Sequence, residues 1–360
     1  MSRLRLEFLE GRELPAGLTA VGAGPGGGPR VQAYAPDGSL RADFFAYEPD
    51  FGGGVRAAAG DVTGDGVPEV VTGPGPGGGP VVKVLDPATA RPVRVFLAYE
   101  AEFRGGVNVA VGDVTGDGVG DVVVGTGAGG GPRVRVFDGA TGAVVRDFFA
   151  YDPAFRGGVT VAAADLDGDG RAEVVTGTGA GGGPHVRAFD GRTGDPVAGF
   201  LAFDPDFRGG VGVAAGDVDG DGRAEVVAGP GPGGPPAARV FGRPGLGPRQ
   251  ELPFLPGVLG GVAVAVGDLN ADGRADVVAA AGPGGGPAVT AFDGVTGAAV
   301  RTIQAFGGLF FGGVNTGSGL ERPPAPSAPP LPPPPAYDFS HLVPDLSSLD
   351  NLGPGIAGLF

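Results

Sequence analysis

Short runs of Val, Ala and Phe alternate along this chain with clusters of Gly, Pro and Asp, and the whole pattern returns at a fixed interval. Its acidic landmarks open at Asp61, Asp113, Asp165, Asp217 and Asp268, which lie 52, 52, 52 and 51 residues apart. A period this regular means one supersecondary unit used repeatedly. In the copy around Asp165 the runs predict four strands, over 159–164, 173–177, 185–190 and 197–203, with turn residues clustered between them. The first run is small and apolar (VTVAAA here, VGVAAG in the next copy). Small side chains suit an innermost strand where several units converge on an axis, and the Val, Phe and Tyr of the other runs suit packing between neighbours. Four antiparallel strands per unit, repeated around a ring, predict an all-β fold, a β-propeller.

The two ends of the repeat region set the number of blades. Ahead of the first acidic loop, LTAVGAGPGGGPRVQAYAPDGSLRADFFAYEPDF reads as strands two to four of a unit without strand one, and FGGVNT at 311–316 reads as a strand one with nothing following. Pairing them makes a sixth blade and covers the free sheet edges of an open array. Six strand-one starts, at Val55, Val107, Val159, Val211, Val262 and Val314, match six glycine-rich turns near 22, 73, 125, 177, 229 and 280. The expected organisation is an export-like leader over 1–15, a six-bladed propeller over 16–319, a proline-rich linker over 320–336 in extended polyproline form, and a short tail over 337–360 that is either a docking peptide or a disordered end. The least regular blade lies between 235 and 260, where the DGxTG hairpin and the FRGG signature are lost.

Composition alone would point elsewhere, because Gly (77) and Pro (37) make up nearly a third of the 360 residues, a fraction common in disordered chains. Here the glycines are periodic, and they do not fall at every third position as collagen requires. The net charge of −15 disfavours nucleic acid and anionic membrane as partners. Much of it is local, since the five acidic loops hold 17 of the 40 Asp and Glu residues. Cysteine is absent, which excludes disulfides and thiolate metal sites. The first 17 residues are basic at the start but lack the apolar core of an ordinary signal peptide, and no segment reaches the ~18 apolar residues of a membrane span.

The five loops read DVTGDGVPE, DVTGDGVGD, DLDGDGRAE, DVDGDGRAE and DLNADGRAD. Side-chain oxygens fall at positions one, three, five and nine: Asp61, Thr63, Asp65 and Glu69; Asp113, Thr115, Asp117 and Asp121; Asp165, Asp167, Asp169 and Glu173; Asp217, Asp219, Asp221 and Glu225; Asp268, Asn270, Asp272 and Asp276. Position six is always glycine, which permits a reversal that turns inward the main-chain carbonyl of position seven: Val67, Val119, Arg171, Arg223 or Arg274. Carboxylates crowded within about 5 Å repel by on the order of 1–3 kcal/mol per pair, and a cation relieves this. Oxygen donors in this number, without His or Cys, select Ca²⁺ over zinc, copper or Mg²⁺. An EF-hand is excluded because position twelve carries Thr72, Val124, Thr176, Ala228 or Ala279 instead of a bidentate acid. The competing reading is that these are polar Asp-Gly turns and nothing more.

The unit resembles the FG-GAP repeat of integrin α-chain propellers and of bacterial FG-GAP or VCBS-type surface proteins. FRGGV at 155–159 stands for the family's Phe-Gly, EVVTGTGA at 173–180 for its Gly-Ala-Pro region, and DLDGDGRAE at 165–173 for its Ca²⁺ loop. The resemblance covers roughly 16–318 and implies up to five Ca²⁺ ions, one per loop, through the positions named above. Thr63, Thr115 and Asn270 depart from the family's Asp at position three and imply altered affinity there. It also implies a secreted or cell-surface location. LEGREL near the N-terminus resembles a short segment at the start of some large exported bacterial proteins.

Other chemistry is sparse. The GxGxGGGP turns open no helix, so they offer no nucleotide phosphate a helix N-terminus. His185 sits where other copies carry Arg133 or Val81, an ordinary strand position, and His341 lies in the tail; no catalytic residue is assigned. Strand alternation puts the acidic loops and DGxTG hairpins on one face and the glycine-rich turns and DPxFRGG crossovers on the other. On that second face Arg104, Arg156 and Arg208 recur beside Glu102, Asp152, Asp204 and Asp206, either to meet a protein or polysaccharide partner or to pair with those carboxylates. The expected function is a calcium-binding adhesion or recognition module; a propeller-fold hydrolase or lyase and a purely structural surface module are the alternatives.

Overall fold

The computed structural model describes residues 17–242, 247–253, 260–270, 272–306 and 313–318. The leader, the linker, the tail with His341, and parts of the irregular stretch between 235 and 260 lie outside the described residues. Six four-stranded antiparallel sheets are present, and no helix occurs among the described residues.

In blade three the strands run Val159–Ala164, Glu173–Thr178, His185–Phe189 and Pro196–Leu201, within two residues of the sequence expectation at each end. Burial follows position in the blade. Every residue of the second strand is buried in blades one to five, because it is sandwiched between neighbouring blades. The fourth strand forms the rim and alternates exposed with half-buried residues, as in Pro196–Leu201. Next to the hairpin each outer pair carries an irregularity of register, between Ala188 and Phe189 in blade three, which adds local twist at the rim.

The core is divided among the gaps between blades. One cluster joins Val175, Val186 and Ala188 of blade three to Val211, Val213 and Val226 of blade four. Another joins Val21 and Tyr34 to Val278, Val289 and Val314, across the seam where the ring closes. Close packing of strand against strand demands glycine at some places. A Cβ on Gly177 would stand 2.5 Å from the Val211 carbonyl oxygen of the next blade.

Closure follows the sequence reading. Val314–Ser318 pairs antiparallel with Thr19–Ala23, which continues through Arg30–Tyr34 to Leu40–Phe45, so one blade holds both ends of the repeat region. The six first strands begin at Val55, Val107, Val159, Val211, Val262 and Val314, as expected.

Candidate metal centres and the two faces

Each acidic loop joins the first strand of a blade to the second, and its geometry is the same five times. The position-one carboxylate accepts main-chain N–H groups of its own loop: Asp165 Oδ1 takes Gly168 (2.6 Å) and Oδ2 takes Gly170 (2.7 Å). The position-five acid turns back to position seven, Asp169 Oδ1 accepting Arg171 N–H at 2.9 Å. Gly170 holds φ +88°, and at the equivalent Gly118 and Gly222 nothing lies within 4 Å of a Cβ placed there, so conformation rather than space requires glycine.

The position-nine acid is the first residue of the buried second strand. Glu69, Asp121, Glu173, Glu225 and Asp276 are all at most 5 % exposed. One oxygen of Glu69, Glu173, Glu225 and Asp276 accepts the N–H of position two, at 2.8–3.0 Å. Asp121 instead takes Thr115 N–H (2.7 Å) and Gly139 N–H of the DGxTG hairpin (2.9 Å). Burial lifts the Glu69, Glu173 and Glu225 carboxyls to about 7 and those of Asp121 and Asp276 to about 6, and the acids of the same loop add to the rise.

Carboxylates converge most closely where position three is Asp. Oxygens of Asp165, Asp167 and Glu173, and of Asp217, Asp219 and Glu225, lie within 4.8 Å of one another. Asp169 and Asp221 do not belong to these groups of three. In the first loop Thr63 Oγ1 donates to Glu69 Oε1 (3.2 Å), and in the fifth Asn270 Nδ2 donates to Asp276 Oδ1 (3.2 Å), so the non-acid at position three neutralises part of the demand internally. In the second loop the Thr115 hydroxyl is buried with no partner. That orphaned oxygen and the all-oxygen donor sets fit a hard cation such as Ca²⁺.

Two features of the loops lie beyond the reach of the repeat pattern. First, the loops are chained around the ring: Asp61, Asp113, Asp165 and Asp217 carbonyls accept the N–H of position eight in the following loop, at Gly120, Ala172, Ala224 and Ala275 (2.7–2.9 Å). The position-seven side chain of that following loop covers the position-four glycine, Arg171 over Gly116 and Arg223 over Gly168. Second, Arg249 of the rim strand Pro248–Pro253 bonds Asp219 and sits 3.7 Å from Glu225 Oε1, so the fourth loop already holds one cation.

On the opposite face the glycine-rich turns and crossovers gather. Arg104, Arg156 and Arg208 are exposed, and each donates to main-chain carbonyls of its own crossover, Arg104 Nη1 to Ala101 and to Phe103 (3.0 Å). Of the two readings offered by the sequence, pairing with carboxylates is not seen: none of the three makes an ion pair among the described residues. His185 lies at the start of a strand with its ring 5.5 Å from that of Tyr151, in an ordinary packing position.

Residues 165–228 match the family described as FG-GAP-like repeat. That span holds the third and fourth loops, the second to fourth strands of blade three and the first strand of blade four with most of its second, a pattern that recurs around the ring. Those residues carry an FG-GAP-like repeat within a six-bladed β-propeller. No curated protein matches it. Among solved structures, it is similar to a protein of unknown function from Bacteroides caccae, at 11% identity and TM-score 0.52, covering 83% of this chain and 98% of that one. It is also similar to rhamnogalacturonan lyase YesW (17%, TM-score 0.42, 77% of this chain and 59% of that) and to exotype rhamnogalacturonan lyase YesX (16%, TM-score 0.40, 76% and 50%). The chain thus spans only half to three-fifths of the two lyases, and the shared feature with the Bacteroides protein is the fold alone.

Proposed function

We propose that this propeller is an extracellular adhesion or recognition module whose five acidic loops hold Ca²⁺ as a structural ion. The observation that carries the metal reading is the fivefold recurrence of a buried position-nine carboxyl, raised to about 6 or 7, beside other acids of the same loop. Asp, Thr or Asn at positions one, three and five, the carbonyl of position seven and the acid at nine would hold the ion. When bound, Ca²⁺ supplies positive charge that lets these acids ionise within a compact loop. Extracellular modules bind Ca²⁺ at about 10⁻⁴–10⁻³ M, the concentration found outside cells, which agrees with a secreted or surface location.

The recognition reading rests on the opposite face, where three exposed arginines repeat at one position of consecutive crossovers without carboxylate partners. A protein or polysaccharide ligand fits such a face of clustered loops. Among the described residues lining the axial cavity beneath it, Arg56 is the one charged side chain and no carboxyl or imidazole accompanies it, which favours binding over hydrolysis or elimination.

Calorimetric titration with Ca²⁺, and melting with EDTA against millimolar Ca²⁺, test the first part. Uptake of several ions and a large fall in melting temperature on chelation are expected; identical melting curves would refute it. For the second part, an extracellular fraction is passed over the wild-type protein and over Arg104→Glu/Arg156→Glu/Arg208→Glu, with Ca²⁺ present. Equal capture by both removes this face as the ligand surface.

A further inference from the structure

The axis of the ring holds a second chemistry that the repeat does not explain. A cavity of about 340 Å³ lies there, lined by the first halves of the six first strands and by the glycine-rich turns, and therefore at the end away from the acidic loops. The second residue of each first strand forms a ring around it: Arg56, Asn108, Thr160, Gly212, Ala263 and Asn315. Three of these stitch one blade to the next by donating to the carbonyl of the following first strand. Asn315 Nδ2 reaches Val55 O (2.9 Å), Asn108 Nδ2 reaches Val159 O (2.8 Å) and Thr160 Oγ1 reaches Val211 O (2.8 Å).

Arg56 breaks this pattern. Its Nε donates to Asn108 Oδ1 (3.1 Å), while Nη1 is buried and has no partner. The Thr316 hydroxyl, on the same cavity wall, is also buried and unpartnered. Among the described residues no Asp or Glu lines the cavity, in a chain whose net charge is −15. Burial pulls the Arg56 guanidinium below its ordinary value, as expected for a charge removed from water without a counter-ion. Across the axis Gly212 and Ala263 carry no more than a methyl at this ring position, where the other blades carry longer side chains.

We infer that this cavity binds a compact oxyanion, of carboxylate or sulfate size, entering from the glycine-rich face, with the free end of the Arg56 guanidinium and the Thr316 hydroxyl as donors. A half-buried guanidinium on a cavity wall, without a carboxylate partner among the described residues, has the chemistry that selects planar or tetrahedral oxyanions by charge-assisted hydrogen bonds. The site does not depend on the acidic loops, which lie at the other end of the axis.

The test titrates the full chain, in saturating Ca²⁺ and at constant ionic strength, with sodium acetate and separately with sodium sulfate against a chloride reference. The arginine Nε–H signals are followed by ¹⁵N-edited NMR. Saturable one-to-one binding that moves the Arg56 signal is expected, with acetate alone assigning a carboxylate site and sulfate alone a tetrahedral one. Arg56→Gln is expected to weaken binding at least about tenfold. Gly212→Val leaves Arg56 in place but fills the opening; Gly212 has ordinary backbone angles and no neighbour closer than 3.7 Å to its Cβ position, so this variant keeps the fold and should weaken binding equally. Absence of saturation with both anions, or wild-type affinity in Gly212→Val, would overturn the site and leave the cavity to water.

Discussion

At the scale of single residues, the acidic loops differ in how far each already satisfies its own charge. The third loop brings Asp165, Asp167 and Glu173 together with no ion pair among the described residues, whereas in the fourth Arg249 reaches Asp219 and stands 3.7 Å from Glu225. A guanidinium beside a cation site repels the ion by roughly 1 kcal/mol at a half-exposed position. Arg249→Gln should therefore tighten one of the Ca²⁺ sites about three- to tenfold and leave the others unchanged, a result readable by equilibrium dialysis or calorimetry. The position-nine acids make a second prediction. Their folded pKa values, about 6 to 7, lie above the 4.5 or 3.8 of the unfolded chain, so the metal-free fold binds more protons than the unfolded state between those limits. That stabilisation is complete below pH ~4 and is lost as pH rises through 6 to 7. In EDTA the melting temperature should be higher at pH 5.5 than at pH 8, and millimolar Ca²⁺ should flatten or invert the trend, because the ion replaces the proton. A melting temperature in EDTA that rises between pH 5.5 and 8 would contradict this account.

At the scale of strands and turns, what was legible is what a period exposes. Val159–Ala164 and its counterparts repeat the same small apolar run, so the first strands could be placed to the residue, and the glycine at position six marked each reversal. Contacts between blades left no such trace. The bond from Ala172 N–H to the Asp113 carbonyl joins positions of different loops whose alignment in the repeat gives no hint that they touch. Arg249 lies in the blade where the repeat is least regular, so nothing in the pattern aimed it at Asp219. The three crossover tyrosines are a similar case: Tyr47, Tyr99 and Tyr151 each place a hydroxyl on two carbonyls of the next blade, Tyr99 on Val124 (2.7 Å) and Arg133 (3.0 Å). From sequence they read only as aromatic packing. Tyr99 is 5 % exposed, so Tyr99→Phe removes a buried hydroxyl hydrogen bond and should cost about 1–2 kcal/mol, seen as a lower midpoint in urea with an unchanged slope. The crossover from blade three to blade four carries Phe203 at the equivalent place, stacked under Arg239 at 5.1 Å, and shows that the ring alone is compatible with the fold.

At the scale of the whole molecule, the ring is held by one strand contributed from the far end of the repeat region. Val314–Ser318 pairs with Thr19–Ala23 over five residue pairs, Val314 is 2 % exposed within the seam cluster, and Asn315 Nδ2 bonds the Val55 carbonyl of blade one. Together the ladder and the buried valine are worth on the order of 5 kcal/mol. Without that strand, Thr19–Ala23 becomes an open edge facing the axis, and blade five loses the neighbour against which Val278 and Val289 pack. A chain ending at residue 312 should therefore melt well below the full chain and exchange amide hydrogens fastest in the closing blade and in blade five. The loop-to-loop hydrogen bonds run from Asp61 to Ala275 along the other face and do not cross the seam, so they are retained. Blades two and three, farthest from the break, should then keep most of their protection even in the shortened chain. Uniform loss of protection across all blades would mean instead that the ring folds as one cooperative unit, with closure setting the stability of every blade alike.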